Sequence, residues 1–139
     1  MRIGRRSKAQ VARVRERVFE RDGHECVVFE RASECAGGLT VQHRVGRGMG
    51  GSARLDGVEN LVTMCAYHNA LVESDALFRR LCVMRGYSVP RWAAGCVGSI
   101  PVEFLQGWML ISDVLTPVDS RQVVEVFEDV YGYHDVIDF

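Results

Sequence analysis

The sequence predicts a small α+β domain, and three observations support this prediction. Its 139 residues, of which 47% are hydrophobic and 25% charged, suffice for one domain with a packed core. Apolar residues recur at helical spacing on either side of two short β-prone runs, at 39–41 and 61–64. No apolar run approaches the roughly 20 residues that span a bilayer, and residues 1–23 lack the apolar core of a signal peptide. We therefore expect neither a membrane protein, a secreted precursor nor a fibrous repeat.

The first segment, residues 1–22, is predicted to be a basic helix. Val11, Val14 and Val18 recur at helical spacing over residues 8–21, and Asp22-Gly23 should end the helix. The segment holds eight basic and three acidic residues, although the net charge of the chain is −1. Such a segment suits an anionic partner such as nucleic acid, while a solvated amphipathic helix would have the same composition.

The middle segment, residues 23–86, is predicted to contain a loop, two short strands and a long helix. Between the two β-prone runs, five glycines lie within the twelve residues 46–57, which is typical of a flexible loop. A single helix is expected from about Ala66 to Arg85, ending at Gly86. Its apolar stripe is predicted to be Leu77, Leu81 and Met84.

The last segment, residues 87–139, is predicted to be a hairpin followed by an acidic helix. Apolar residues alternate from Ile100 to Phe104, and the strand at 108–111 follows a turn containing Gly107. Thr116-Pro-Val-Asp119 resembles a capping box with proline at the first helical position. Residues 101–139 hold eight acids and one arginine.

The cysteines predict a structural zinc site. Five cysteines cannot form a closed set of disulfides, so a reducing compartment is the better assumption. Zinc is commonly held by four thiolate and imidazole ligands that arrive in two pairs. The sequence offers such pairs at Cys26-x8-Cys35 and Cys65-x2-His68. Buried apolar cysteines and a surface histidine are the alternative, and we interpret Cys82 and Cys96 as free core thiols.

Two stretches of the middle segment resemble the HNH endonuclease superfamily. They are Leu39-Thr-Val-Gln-His43-Arg, followed by the glycine-rich loop, and Glu59-Asn-Leu-Val-Thr-Met-Cys65-Ala-Tyr-His-Asn69. The match covers about residues 20–80, and this family folds as a ββα-metal (His-Me finger) core. The wider pattern, to about residue 113, is similar to small HNH proteins of phages that infect actinobacteria. It includes Arg47-Gly-Met-Gly-Gly51, Val72-Glu73-Ser74 and Gly107-Trp108.

The resemblance implies a site for metal-dependent hydrolysis of DNA phosphodiester bonds in residues 23–86. His43 corresponds to the general base that takes a proton from the attacking water, as a histidine can near neutral pH. Asn60 corresponds to the residue that bonds across the loop and orients this base. Gln42, Asn69 and Glu73 correspond to ligand positions of a catalytic Mg²⁺ or Mn²⁺ ion. In an unrelated chain these residues would be ordinary surface, turn and helix positions.

Two arginines near His43 are candidates for contacts with DNA. Arg44 and Arg47 flank it on the glycine-rich loop, where the backbone can approach phosphates closely. Guanidinium groups bind phosphate in a bidentate way, although solvated arginines are the alternative.

The position of Gln42 departs from the family, whose members usually have Asp or His there. A neutral amide oxygen is a weaker ligand for a hard cation, so a non-catalytic zinc-containing DNA-binding protein is the alternative function. No recognition module is visible, so cleavage is expected to have little sequence specificity. The resemblance further implies phage terminase subunits as partners in DNA packaging, in the cytoplasm of the host cell. A packaging adaptor with an acidic tail is a third hypothesis.

Overall fold

The structure, a computed structural model, describes residues 6–46 and 53–132, and for residues 53 and 54 it describes the backbone alone. Within these ranges helices and short strands follow one another, which confirms a mixed α+β architecture. The helices are α1 (Lys8–Arg21), α2 (Ala66–Ser74), α3 (Ala76–Met84) and α4 (Ser120–Tyr131). The strands are β1 (Leu39–His43), β2 (Leu61–Cys65), β3 (Val102–Phe104), β4 (Gly107–Ile111) and β5 (Leu115–Pro117). Short 3₁₀ segments lie at Phe29–Glu34, Ala53–Asp56, Val58–Asn60 and Arg91–Ser99.

Helix α1 has the predicted boundaries and is fixed to the sheet at its C-terminal end. Ser7 and Gln10 form a capping box at its start, and Gly23 follows its end with a φ of +74°. The Arg21 and Asp22 side chains, 2% and 0% exposed, form an ion pair of 2.8 Å. Arg21 also donates to the carbonyl of Leu61 at 2.6 Å, and Asp22 accepts from the backbone N–H of Thr63 at 2.8 Å. These bonds hold α1 against β2.

The described strands form two antiparallel sheets. One contains β1 and β2, with Leu39 opposite Cys65 at one end and His43 opposite Leu61 at the other. The other has the order β3-β4-β5, so the predicted hairpin is present with an additional strand. The prediction of a cap at Thr116 was wrong, because Pro117 belongs to β5 and Asp119 caps α4 through the backbone N–H of Gln122.

The single helix predicted over 66–85 was also wrong, because Asp75 divides it. Asp75 has extended backbone angles and its carboxylate accepts from the N–H of Phe78 at 3.0 Å, so it caps α3. The side chains of Leu77 and Met84 are 73% and 55% exposed. Helix α3 instead buries Phe78, Cys82 and Val83.

The core consists of two apolar clusters. The first joins β2, α3 and the second sheet through residues such as Val62, Phe78 and Val102. The second lies under α4, where Tyr131 packs with Val45 and neighbouring apolar groups. Cys82 is buried as predicted, whereas Cys96 is exposed and is no core thiol. None of the helices in the described ranges has the length and apolar content to cross a lipid bilayer.

Candidate functional site

The four predicted zinc ligands converge at one end of the β1–β2 pair. Cys26 follows α1, Cys35 follows a 3₁₀ segment, and Cys65 ends β2 and caps α2. His68 lies in the first turn of α2, so the C-x2-H spacing places it beside Cys65. The three sulfur atoms and a ring nitrogen of His68 all lie within 4.8 Å of one another. This Cys₃His cluster could therefore hold a metal ion such as zinc.

The distances within the cluster fit a tetrahedral zinc site. His68 Nδ1 lies 3.6 Å from Cys26 Sγ, 3.6 Å from Cys35 Sγ and 3.4 Å from Cys65 Sγ. Zinc bonds of about 2.3 Å to sulfur and about 2.0–2.1 Å to nitrogen, at tetrahedral angles, place those atoms roughly 3.6 Å apart. The ligand atoms thus have the separation that such an ion would impose.

The electrostatics of the cluster favour a cation as its partner. Burial raises the pKa of the Cys26 thiol, and it raises the pKa of Cys35 to about 12. Burial also opposes ionisation of Cys65, but the N–H groups of His68 and Ala36 contribute to a net lowering of its pKa. Burial lowers the pKa of His68, which keeps its imidazole neutral and able to ligate. A bound cation would stabilise the thiolates that burial disfavours.

His43 lies at the opposite end of β1 and β2. Its side chain is 28% exposed, and its Nε2 lies 3.0 Å from a carboxylate oxygen of Asp56. An ionised carboxylate only accepts hydrogen bonds, so this contact assigns the proton to Nε2 and leaves the lone pair on Nδ1. An imidazole held in this way can accept a proton at Nδ1.

Asn60 is completely buried and closes the loop that follows His43. Its amide nitrogen donates to the carbonyls of Val45, at 3.1 Å, and Leu55, at 2.8 Å. Its amide oxygen accepts from the backbone N–H of Val45 at 2.8 Å. Asn60 thereby joins residues on both sides of the glycine-rich loop.

A cleft of about 320 Å³ separates α1 from β1 and opens beside His43. Val11, Val14 and Arg15 of α1 line one wall, and Leu61 with Leu39, Thr40, Val41 and His43 of β1 lines the other. Arg6 also lines the cleft and donates to the backbone carbonyl of Asp56 at 2.9 Å.

Sequence reasoning missed Arg6, Arg15 and Asp56 as site residues. The spacing contained a signal for Arg15, which lies four residues after Val11 and therefore on the same helix face. Asp56 gave no comparable signal, because its approach to His43 depends on the path of the loop.

The residues expected to bind a catalytic cation are not on the face of β1 that carries His43. Gln42 precedes His43 in the strand, so their side chains leave it on opposite faces. The Gln42 amide nitrogen donates to the carbonyl of His43 at 3.0 Å, and that of Asn69 donates to Thr40 Oγ1 at 2.7 Å. Thr40 shares the face of Gln42, whereas Glu73 is exposed on α2.

The described residues contain no second cluster of the Cys₃His kind. Among residues 6–46 and 53–132, the Cys₃His cluster is the only converging group of three or more His, Cys, Asp or Glu side chains. The two amides and one carboxylate at Gln42, Asn69 and Glu73 are therefore the donors available for a catalytic cation at the predicted positions.

The prediction that Arg44 contacts DNA was wrong. Its side chain is 2% exposed, and its guanidinium donates to the carbonyls of Gly86, Glu59, Val97 and Ile100 at 2.6–3.0 Å. Burial lowers the pKa of Arg44 to about 9, which leaves it charged at neutral pH. A guanidinium enclosed in this way cannot reach a phosphate. Arg47 lies outside the described residues.

The described part of the chain thus has a mixed α+β fold with a Cys₃His cluster that could hold a metal such as zinc. Comparison with family models, curated proteins and solved structures finds no match for this chain.

Proposed function

We propose that this protein is a metal-dependent endonuclease of the HNH type, which hydrolyses DNA phosphodiester bonds. The observation that carries the proposal is the half-exposed His43 at the end of β1, in contact with Asp56 and open to a cleft with basic residues. Histidine is the side chain best suited to take a proton near neutral pH.

In the proposed reaction, His43 acts as the general base. Its Nδ1 takes a proton from the water whose oxygen bonds to the phosphorus. The bond from phosphorus to the 3′ oxygen breaks, and that oxygen takes a proton from solvent water, which gives a 5′-phosphate and a 3′-hydroxyl end. Asp56 holds the imidazole in the required tautomer and stabilises the imidazolium that forms. Carboxylate–imidazole pairs have this role in other hydrolases. Asn60 fixes the loop that carries Asp56, so the carboxylate stays within reach of His43.

Zinc in the Cys₃His cluster would have a structural part in this enzyme. All four ligand positions are filled by side chains, and a closed tetrahedral site has no place for substrate. The ion would hold the start of α2 to the loop that contains Cys26 and Cys35. With β1, β2 and α2 held together, the arrangement supports a ββα-metal core.

A catalytic Mg²⁺ or Mn²⁺ ion would be held by Gln42, Asn69 and Glu73. Both amide nitrogens are engaged within the chain, so both amide oxygens remain available as ligands. These two oxygens and one carboxylate suit a hard cation in type, but they supply little negative charge. Gln42, and Thr40 which Asn69 contacts, lie on the face of β1 opposite His43, so such a cation would stabilise the charge on the phosphate and the departing oxygen only for a substrate that also reaches that face.

The decisive experiment compares His43→Asn with the wild type on supercoiled plasmid in Mg²⁺, Mn²⁺ and Zn²⁺. Asparagine keeps a donor near Asp56 but cannot take up a proton, so we expect cleavage to fall by about 10²–10⁴-fold. His24→Asn is the matched control, since His24 is exposed and asparagine tolerates its positive φ of 56°. Equal cleavage by His43→Asn and His24→Asn would contradict the proposal.

The second candidate function is a non-catalytic zinc-containing DNA-binding protein or packaging adaptor. The specific observation in its favour is that Gln42, Asn69 and Glu73 provide a single carboxylate. If wild-type protein binds plasmid but leaves it intact in all three metals, this candidate replaces the endonuclease. A function beside phage terminase subunits, in the host cytoplasm, stays a prediction, and pull-down with terminase would test it.

A further inference from the structure

We infer that the cleft between α1 and β1 takes one unstacked nucleotide of a single strand, with its phosphate held by Arg15 and Arg6. The inference rests on the proposed function, because it names the form of nucleic acid that would reach His43. It is carried by three properties of the cleft, namely its apolar walls, its basic edge and its width.

The walls of the cleft are mostly apolar although they face solvent. Val11 is 45% exposed, and Val14, Leu39 and Val41 are half-buried around it. At about 320 Å³, the cleft lies near the lower limit of ligand pockets, roughly 300–1,000 Å³. Apolar walls in a small recess suit the flat face of a base or a sugar better than they suit a phosphate.

Within the described ranges, the charged residues along the cleft are two arginines and one aspartate, Asp56, so basic groups predominate. Arg6 and Arg15 line the cleft, and Lys8 joins them on the adjoining surface of α1. Arg15 is exposed, and none of the hydrogen bonds or ion pairs within the described ranges uses its guanidinium. A free guanidinium at the mouth of an apolar recess is suited to bind the phosphate of a nucleotide whose base or sugar enters it.

Access to His43 explains why the nucleotide must be unstacked. Its imidazole lines the cleft together with Leu61, and its Nε2 contacts Asp56. A paired and stacked duplex is too wide to enter a recess between one helix and one strand. A nucleotide of a single strand, or of an unpaired stretch, can enter and bring its phosphodiester to the histidine.

The test is binding of fluorescein-labelled oligothymidine, as a single strand and as a duplex with oligoadenosine. Zinc-loaded wild type without added Mg²⁺ or Mn²⁺ is used, so binding is measured without cleavage. We expect the single strand to bind about tenfold more tightly than the duplex. Val11→Trp should fill the cleft and weaken single-strand binding at least about fivefold. Val124→Trp, at a valine on α4 that is 54% exposed, is the matched control.

A second pair of variants tests the phosphate contact. Salt weakens binding, so the slope of log K against log salt is negative. Arg15→Gln should reduce the magnitude of this slope by about 0.7, the value for one phosphate contact on a single strand. Arg13→Gln removes the same charge from another face of α1 and should leave the slope unchanged. The inference would be overturned if single strand and duplex bound equally. It would also be overturned if Val11→Trp and Val124→Trp had equal effects, or if Arg15→Gln and Arg13→Gln had equal salt slopes. Failure of the proposed function looks different, because the plasmid stays intact while these binding differences persist.

Discussion

The two ends of the β1–β2 pair, about 13 Å apart at roughly 3.3 Å per residue, show opposite uses of polar side chains. At the Cys65 end, three thiol sulfurs surround Nδ1 of His68 at 3.4–3.6 Å. At the His43 end, Asn60, Arg44 and Gln42 all bond to carbonyls of the chain. The first end could accept a metal ion, whereas the polar side chains named at the second end already bond to the chain itself.

This difference separates two kinds of functional prediction. Three thiols and an imidazole that converge in this way are a common ligand set for zinc, so their geometry indicates the class of ligand that could bind there. Amides and guanidinium groups have many internal partners, so their presence near a histidine identifies no ligand. Variants at the Cys65 end should therefore lose zinc and stability, whereas variants at the His43 end should lose stability or cleavage and keep their zinc.

The largest effect is expected from Cys65→Ser. Loss of one thiolate should release zinc and lower the free energy of unfolding by on the order of 5 kcal/mol. Elemental analysis and denaturant unfolding measure the two quantities. Cys96→Ser is the control, since Cys96 is an exposed cysteine outside the cluster, and it should change stability by less than about 0.5 kcal/mol. A structural metal would be contradicted if the wild-type protein contained no zinc and if wild type, Cys65→Ser and Cys96→Ser were equally stable.

Arg44→Met should lower stability at the other end by on the order of 3 kcal/mol. The variant keeps most of the apolar volume but removes the Arg44 donor from four carbonyls, of which that of Val97 also accepts from the backbone N–H of Ile100. Its zinc content should equal that of the wild type. This result would distinguish a variant at the His43 end from Cys65→Ser, which should lose zinc. Arg13→Met removes an exposed arginine as the control. If the two variants unfold at the same denaturant concentration, the His43 end is not held by Arg44.

Asp56→Asn should lower the rate of plasmid cleavage by about tenfold to hundredfold without unfolding the protein. The amide can present its N–H to Nε2 and so favour the wrong tautomer of His43. Steady-state rates and thermal unfolding are measured together. Asp113→Asn, at an exposed aspartate that pairs with the exposed Arg17, is the control. Unchanged cleavage in Asp56→Asn would remove this carboxylate from the mechanism.

The smallest effect is expected from Gln42→Asp. An added carboxylate should lower the Mg²⁺ concentration for half-maximal cleavage by about threefold, because hard cations prefer charged oxygens. Gln106→Asp, in the exposed turn between β3 and β4, adds the same charge elsewhere. If Gln42→Asp needs as much Mg²⁺ for half-maximal cleavage as Gln106→Asp, or more, residue 42 does not face the ion.

Local chemistry explains which parts of the fold could be predicted. The ends of α1 and the strands β1 and β2 follow from caps, glycines and apolar spacing within a few residues. The Cys₃His cluster was predicted because cysteine and histidine pairs have few other uses in a reducing compartment. The division at Asp75 was missed because the apolar pattern continues through it, although aspartate is also a strong N-cap.

Features that depend on distant partners could not be predicted. Arg44 was assigned to DNA from its place beside a glycine-rich loop, but its carbonyl partners come from other segments. Strand β5 is three residues long and ends in proline, so only its pairing with β4 reveals it. The cleft likewise requires α1 to lie against β1, which the bonds of Arg21 and Asp22 determine. The endonuclease site itself stays a prediction.

The bonds of Arg44 have a consequence for the order in which the chain folds. Its four carbonyl partners lie 42, 15, 53 and 56 residues away in sequence. Closing several long loops at once costs chain entropy before any of these bonds can form. We therefore expect them to form after the transition state for folding, with φ values near zero, so that Arg44→Met accelerates unfolding and leaves the folding rate nearly unchanged. The His43 end would then be the last part of the β1–β2 pair to become rigid during folding. The half-life of the native protein before it unfolds would depend on the bonds of the Arg44 guanidinium.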